Sequence, residues 1–366
     1  MKKLAFAVLA IGAMAACTKV SVQHEQPSEI SLQPVAAMAT KAVVSGTEYT
    51  GGDFNVWAWW DDVKITDPAT ESNLYAGYAT TPYINAGKFV NRSGHNWGGE
   101  TPYYWPHNGF LVFAGYSPAA ATNTATSLAY DIVNQEFTAV GYTQSNEIDN
   151  MKDLMWFDVD KSYNANPGTS VDAKGVPVVF HHALSWLTFK FKLKENITST
   201  SWIIKSVKLT NIELTADFTS KPVSTSPCWS NHLPGSRGYI MIYENSSNTT
   251  PVAYDPDKGQ LLTNQVDGVV VIPQLCDIEP DSVENPDSKL EITYDLKSPA
   301  GPILENQTVT LPLTTTNGTG DTSDDNNWLP GKHYTYTIIF GGNEILIYPT
   351  VYPWDNVPET INVGNN

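Results

Sequence analysis

Basic residues are scarce in this chain of 366 residues, which has 21 lysines and arginines against 38 acidic residues and a net charge of -17. Two of the basic residues are arginines, Arg92 and Arg237. Nucleic-acid binding needs clustered lysine and arginine to displace counterions from phosphates, and anionic lipid headgroups attract the same kind of cluster. The composition therefore predicts no nucleic-acid partner. Disorder throughout is excluded as well, because 11 Trp, 18 Tyr and 12 Phe are too many for a chain that buries nothing.

Long hydrophobic runs are also missing. The apolar stretch at the N-terminus covers residues 4–16, and a spanning helix needs about 18 or more apolar residues. Because Lys2 and Lys3 precede it, the stretch is typical of a secretory signal peptide, here residues 1–16. The Ala15-Ala16-Cys17 ending resembles the bacterial lipoprotein box and predicts a lipid on Cys17. The alternative is ordinary signal-peptidase cleavage near Ala16, with Cys17 incidental.

Cysteine is rare, with three in the chain. If Cys17 carries lipid, Cys228 and Cys276 remain. Export permits a disulfide between them, but spacing in the sequence does not show whether two thiols meet. Two free cysteines are an equally good interpretation.

The common catalytic signatures are absent, including the nucleophile elbow, the zinc-protease helix motif and the phosphate-binding glycine loops. The adjacent His181 and His182 point to opposite faces of a strand, which disfavours a shared metal. The pair Asp158 and Asp160 could serve glycoside hydrolysis only at a defined separation. We therefore predict that the protein is not an enzyme and has no catalytic, cofactor-binding or metal-binding residues.

Aromatic residues form the remaining cluster of interest. Trp57 and Trp59 share one face of a predicted strand and are interpreted as core, whereas Trp60 faces the other way. Sugars stack on aromatic faces, so Trp60 and Trp105 are the candidates for a glycan-binding surface.

Alternating hydrophobicity predicts an all-β fold made of many short strands. Residues 187–194 and 203–212 alternate with period two, and we expect them to pair. Residues 334–340 do the same and lead into Gly341-Gly342-Asn343, which predicts a hairpin. Six further strands are expected at 54–60, 110–116, 154–159, 176–180, 269–272 and 290–296. The polar or alanine-rich residues 18–40 resemble a tether, and a domain boundary is expected near 178–188.

Several motifs occur in an order that resembles one family. After the signal come Thr40-Lys41-Ala42, Val56-Trp57-Ala58-Trp59, Tyr104-Trp105-Pro106 and Phe113-Ala114-Gly115-Tyr116. They are followed by Val178-Val179-Phe180-His181-His182 and by Leu329-Pro330-Gly331-Lys332-His333-Tyr334. The ordered set is similar to the Bacteroidales fimbrillin family, the subunits of type V pili.

The resemblance implies two transthyretin-like β-sandwich domains in tandem, expected at 42–183 and 184–366 after a lipidated leader at 17–41. It also implies export to the outer membrane and the cell surface as a lipoprotein held by lipid on Cys17. A trypsin-like protease would then remove the leader and an N-terminal strand, leaving a groove that the C-terminal strand of another subunit fills. The family's usual arginine is missing, and Lys41 occupies the matching place.

The C-terminal segment has the pattern of a donor strand. Leu346, Tyr348, Tyr352 and Trp354 share one parity, while Pro349 and Pro353 lie on the other and confine the strand to an edge or an exchange partner. The alternative is a strand that closes its own sandwich.

The resulting prediction is a structural subunit of an adhesive fimbrium that binds other fimbrial subunits and a host protein or glycan. The first rival is a surface lipoprotein that binds host or dietary glycans and never polymerises, and the second is a secreted glycosidase using an Asp pair.

Overall fold

The computed structural model describes residues 28–36, 49, 51–62, 81–93, 96–159, 163–164, 175–196, 198–221, 228–233, 235, 237–262, 268–276, 287–313, 327–341 and 344–354. Across these ranges the regular structure is β-strand with short 3-10 turns at Ala119–Asn123 and Ile148–Asn150. The strands are β1 Ser31–Ala36, β2 Phe54–Asp61, β3 Ile84–Ser93, β4 Asn96–Gly99, β5 Phe110–Ser117, β6 Ser127–Asp131, β7 Glu136–Thr143, β8 Met155–Phe157, β9 Tyr163–Asn164, β10 Val176–His182, β11 Ser185–Leu193, β12 Ser201–Glu213, β13 Thr215–Thr219, β14 Trp229–Ser230, β15 Arg237–Glu244, β16 Val269–Val271, β17 Lys289–Ser298, β18 Gly301–Pro312, β19 Lys332–Phe340 and β20 Ile345–Pro353. Within the described ranges, no helix is long and apolar enough to cross a membrane.

The first half of the chain forms a closed ring of strands. The order is β2-β3-β4-β1-β10-β8-β5, and β5 pairs with β2 again, so the sheet has the connectivity of a barrel with β9 attached to β5. Inward side chains form one buried cluster that includes Phe54, Phe89, Trp97, Phe113 and Phe180. Closure leaves the ring without an unpaired edge where its strands meet.

The second half contains two four-stranded sheets, β16-β11-β19-β20 and β15-β12-β17-β18. Their apolar faces contribute to a second buried cluster, in which Phe189 and Tyr336 of one sheet join Val207 and Ile292 of the other. The sheets are therefore two layers around a shared core, as in a β-sandwich.

A fourth sheet, β14-β13-β7-β6, connects the halves. β7 precedes the boundary expected at 183/184 and β13 follows it, yet they pair antiparallel, with Ala216 opposite Tyr142. Trp57 and Trp59 on the outer face of the barrel belong to the same buried cluster as Phe137 of β7. The two sandwich units and their boundary stay a prediction.

The six further strands and the hairpin strand predicted from the sequence are confirmed, although β8 is shorter than expected. The expected pairing of 187–194 with 203–212 is wrong. β11 pairs with β16 and β19, whereas β12 pairs with β15 and β17. β11 and β12 each have one apolar face. Because they lie in opposite sheets and face each other across the core, both apolar faces are buried without a hydrogen bond between the two strands. Ser31–Ala36, expected within a tether, is a strand.

Candidate functional site

β1 is an interior strand of the barrel held on both sides. On one side it runs parallel to β10, with Leu32 opposite Val176 and Pro34 opposite Val178. On the other side it runs antiparallel to β4, and the N–H of Ile30 donates to the Tyr103 carbonyl at 2.8 Å. We call the space between β4 and β10 that β1 fills the slot. The next described residue after β1 is Tyr49, and residues 37–48 lie outside the described residues.

The inward side chains of β1 complete the barrel core. Ile30 and Leu32 are fully buried, and both belong to the barrel cluster. Gly175, directly before β10, has a φ of +101°. A Cβ there would lie 2.7 Å from the carbonyl carbon of Ser31, so the wall can approach the β1 backbone only because this residue is glycine.

Tyr49 fastens the chain downstream of β1 to the same core. Its ring lies edge-on to Phe54 and Trp97 and stacks on Phe180 at 5.0 Å. Its hydroxyl donates to the Gly52 carbonyl at 2.6 Å, and burial raises the pKa of Tyr49. The barrel is thus anchored independently of β1 from Tyr49 onward.

β20 is an edge strand, in contrast to β1. It pairs along its whole length with β19 and has no described neighbour on the other side. The C-terminal strand therefore packs in its own sheet, which is the arrangement of the alternative given above. Whether it also serves as a donor stays a prediction.

The two faces of β20 differ in burial. Tyr348 and Tyr352 are 47% and 54% exposed, and Leu346 is half-buried. The opposite parity packs on the core, with Ile347 against the second cluster and Pro349 buried. Tyr348 and Tyr352 face outward because Ile347 and Pro349 cover the inner side, whereas Trp354, one residue beyond β20, is buried.

Trp354 joins the end of β20 to the end of β10. It is 1% exposed, and its ring stacks on His182 with a centroid distance of 3.7 Å. The Nδ1 atom of His182 lies 2.9 Å from a carboxylate oxygen of Asp153, and both side chains are buried. His181 points the other way, and its ring lies 5.1 Å from that of Trp156 at a tilt of 36°, so the prediction of opposite faces for the histidine pair is confirmed.

A second aromatic stack lies on the outer face of the sheet that carries β20. The ring centroids of Trp186 in β11 and His333 in β19 lie 3.6 Å apart. In the pairing of β19 with β20, His333 is opposite Tyr352. Burial, followed by the charge of Lys190, lowers the pKa of His333 to about 4. The Nε2 atom of His333 lies 2.9 Å from the Thr188 hydroxyl, an arrangement that suits a neutral imidazole.

The two candidates for glycan binding, Trp60 and Trp105, differ in exposure. Trp60 is 38% exposed, whereas Trp105 is 5% exposed and packs edge-on to Phe113 inside the barrel. Trp105 is therefore unsuitable for a surface site. The Trp60 indole donates its N–H to the Asn108 carbonyl at 2.7 Å and lies over Gly109, so the ring is fixed while one side stays accessible.

The remaining predicted residues are dispersed or outside the described part. Cys228 and Cys276 are not joined to each other by a disulfide: the first is half-buried before β14, and the second is buried after β16. Asp158 accepts a hydrogen bond from the Tyr130 hydroxyl, whereas its expected companion Asp160 is outside the described residues. Cys17 and Lys41 also lie outside them.

Together, these positions give two contrasting strands, β1 paired on both edges and β20 paired on one edge among the described strands. An open strand edge presents backbone groups with which another strand can pair. Sequence reasoning did not find β1. Its signal was the short alternation of Ile30 and Leu32 with Ser31 and Gln33, within a segment dominated by polar and alanine residues.

A family model described as fimbrillin-like matches residues 40–354. Comparison with curated protein sequences gives no match. A fimbrial protein from Bacteroides vulgatus matches with a TM-score of 0.53 and 17% identity, covering 89% of this chain and 99% of that chain. A fimbrilin from Porphyromonas gingivalis gives 0.44 and 14%, with 92% and 99% covered. A C-terminally truncated tip fimbrial protein from the same organism gives 0.36 and 12%, with 89% and 100% covered. At 17% identity the first likeness shows a common fold.

Proposed function

Because the chain belongs to the fimbrillin-like family, we propose that it is a fimbrial subunit of the cell surface that assembles when proteolysis after Lys41 empties the slot. Export as a lipoprotein would hold it on the outer membrane through Cys17 until that cut. The family and its fimbrial neighbours support the subunit role itself, and the finer steps are our proposal.

One observation carries the proposal: β1 ends at Ala36, five residues before Lys41, and lies between two strands that both come later in the chain. A cut after Lys41 would therefore release a complete interior strand together with the lipidated leader. The matched family region begins at residue 40, so β1 also lies ahead of it.

Loss of β1 would leave unpaired backbone groups on β4 and β10 and an uncovered apolar core. Unpaired strand edges template the pairing of another strand, whose alternate side chains can fill the gap. Because the strand that fills the slot comes from the far end of a neighbour, the contact is heterologous and extends into a filament. Adhesion to a host protein or glycan would then be a property of the assembled fibre.

The experiment compares three variants recovered from the cell surface. We expect wild type to begin at Ala42, to carry no lipid and to form a ladder of multimers on gels of unheated samples. Lys41→Gln should keep lipidated Cys17 and lose the ladder, whereas Lys41→Arg should retain both cleavage and ladder.

Lys19→Gln is the matched control, because a cut after Lys19 would release the lipid but leave β1 in place. It should behave as wild type. A ladder formed by Lys41→Gln, or by chains that still begin at lipidated Cys17, would contradict the proposal. Cys17→Ala should abolish labelling with a fatty-acid analogue.

A second candidate function, glycan binding without polymerisation, is favoured by the fixed and accessible ring of Trp60. Sugars present C–H groups that pack on an indole face. Binding on a glycan array that is lost in Trp60→Ala but kept in Tyr239→Ala, an exposed aromatic on β15, would support it. Equal binding by both variants would exclude Trp60.

A further inference from the structure

We propose that the outer face of the sheet β16-β11-β19-β20 binds an acidic glycan, in a trough that crosses the strands between Tyr352 and Tyr348. The trough is present in the uncut chain, so the proposal does not rest on the opening of the slot. It also lies apart from Trp60, which belongs to β2 of the barrel.

Outward side chains form three rows across β11, β19 and β20. The register of the two ladders gives the rows as Trp186-His333-Tyr352, Thr188-Thr335-Thr350 and Lys190-Thr337-Tyr348. Alternate residues such as Phe189 and Tyr336 belong to the second buried cluster, so the rows face away from the core. Outward residues recur at every second position, so consecutive rows lie about 7 Å apart. The middle row of threonines is therefore the floor of a trough between two rows of larger side chains.

One wall of the trough is fixed by stacking and by a hydrogen bond. The rings of Trp186 and His333 are nearly parallel, at an interplanar angle of 10°. The Thr188 hydroxyl lies 2.9 Å from the Nε2 atom of His333, and Thr188 and Thr335 are buried beneath this wall. Side chains that are held in place before a ligand arrives lose little conformational entropy on binding.

The trough is open toward β20. Tyr348, Thr350 and Tyr352 are all exposed, and the two tyrosines are four residues apart. Their Cα atoms are therefore about 13 Å apart, with the Thr350 hydroxyl between them. Two aromatic rings on either side of a hydroxyl suit a chain of sugars, which present both C–H groups and hydroxyls. Tyrosine supplies an apolar ring face together with a polar end.

The charge of this face is opposite to that of the whole chain. The sequences of β11, β19 and β20 contain lysines but no aspartate or glutamate, although the chain has 38 acidic and 21 basic residues. Glu344, beside the hairpin, pairs with Lys194. Within the described part of the chain, Lys190 has no carboxylate partner, whereas Lys208 of the opposite sheet pairs with Glu291 at 2.5 Å. The trough therefore favours an anionic ligand.

An acidic glycan is the ligand class that uses the rings, the hydroxyls and the charge together. Sugar rings would lie on Tyr348 and Tyr352, a sugar hydroxyl would bond Thr350, and a carboxylate would pair with Lys190. Lys190 is two strands from Tyr348, about 10 Å away, so the ligand must extend across the sheet. An extended peptide would instead pair with the backbone of the β20 edge and would not need Lys190.

Isothermal titration calorimetry on the full uncut chain tests the proposal. The protein carries Cys17→Ser, which removes the site of lipid attachment. The first probe is a hyaluronan octasaccharide, in which every second sugar has a carboxylate. The second is its carboxyl-reduced form, which keeps the sugar chain and lacks the charge. The third is octaglutamate, an acidic peptide without sugar rings.

We expect the octasaccharide to bind, and the reduced form to bind about tenfold more weakly. Tyr352→Ala should weaken binding of both sugars about tenfold, whereas Tyr352→Phe, which keeps the ring, should stay within about threefold of wild type. Tyr239→Ala is the matched control, because Tyr239 is an exposed tyrosine on the opposite sheet, and it should bind as wild type. Unchanged denaturation midpoints would show that these surface variants fold.

Lys190→Gln separates the charge from the rings. It should weaken binding of the octasaccharide about fivefold and leave binding of the reduced form unchanged, because only the first has a carboxylate to pair with the lysine. Lys208→Gln, on the opposite sheet, is the matched control and should leave both unchanged.

The outcomes are distinct. Absence of binding by both sugars, or wild-type binding by Tyr352→Ala, would overturn the site. Equal binding of the two sugars would overturn the acidic class, and equally tight binding of octaglutamate would overturn the glycan in favour of a peptide. Binding that is lost in Trp60→Ala and kept in Tyr352→Ala would place the glycan on the barrel instead. None of these results depends on cleavage after Lys41, so the proposed function is tested separately.

Discussion

β1 and β20 have nearly the same sequence pattern and opposite surroundings. β1 has a neighbour on each edge and closes a barrel, whereas β20 has β19 on one edge and an open edge on the other. The difference teaches that alternation divides the side chains of a strand between two faces, but does not show how many strands it contacts. The slot strand should therefore dominate stability, and the edge strand should be the one that can leave.

The side chains of β1 and β20 also differ in burial. Leu32 in β1 has no exposed surface, whereas Ile347 in β20 is only half-buried. Outward residues differ less: Ser31 is half-buried and Tyr348 is 47% exposed. The following predictions test whether this asymmetry is energetic as well as geometric.

The largest effect is expected for Leu32→Ala in the uncut chain. The change leaves a cavity in the barrel core, where Leu32 is fully buried, and we expect the free energy of unfolding to fall by about 4 kcal/mol. Chemical denaturation measures it. Ser31→Ala, on the half-buried parity, should change it by less than about 0.5 kcal/mol. Equal losses would mean that β1 is not part of the core.

Trp354→Ala should follow, because Trp354 is the one fully buried aromatic that holds the end of β20. We expect a loss of about 3 kcal/mol, together with faster hydrogen exchange in β20 than in β1. Tyr352→Ala, at 54% exposure, is the control and should stay within about 0.5 kcal/mol. Faster exchange in β1 would reverse the comparison.

Acid should weaken the sheet of β20 through His333. Its pKa in the folded chain is about 4, below the ordinary 6.5, so the unfolded chain binds a proton that the folded chain excludes. The contribution of neutral His333 to the free energy of unfolding is fully present above about pH 6.5 and is lost as the pH falls toward about 4. After allowance for the partial exposure of the side chain, we expect this loss to be about 2 kcal/mol.

Denaturation midpoints at pH 7 and pH 4.5 measure this effect. His333→Gln should reduce the difference between the two pH values, whereas His107→Gln, on an exposed loop, should leave it as in wild type. An unchanged pH dependence in His333→Gln would assign the acid effect to other groups.

The smallest effect is expected for Ile347→Ala in the uncut chain, about 1 kcal/mol, since the side chain is only partly removed from water. Tyr348→Ala should cost less still. A loss as large as that of Leu32→Ala would show that β20 is as firmly held as β1, and its release during assembly would then need an additional cause.

Ten of the twenty described strands could be predicted from the sequence, because period-two alternation is strong where one face is buried. The order of strands could not. β11 and β12 both alternate, yet they lie in opposite sheets, because the pattern is satisfied equally by pairing side by side or by packing face to face.

The candidate site could be predicted in part from the sequence. The C-terminal strand, its hairpin and the core role of Trp57 and Trp59 were predicted. The strand before Lys41 was missed because its alternation is short and lies in a segment dominated by polar and alanine residues. For β20 the sequence did not assign a parity to the core, since which parity is inside depends on what lies across the core; Ile347 joins the second cluster and Pro349 is buried.

The sequence by itself determined an all-β chain, its faces and the expectation of a leader ahead of Lys41. Only the tertiary structure decided that β1 lies inside a closed barrel and β20 at an open edge. The physical reason is that backbone hydrogen bonds between strands are the same for any sequence, so the choice of neighbour is made by the packing of the whole fold.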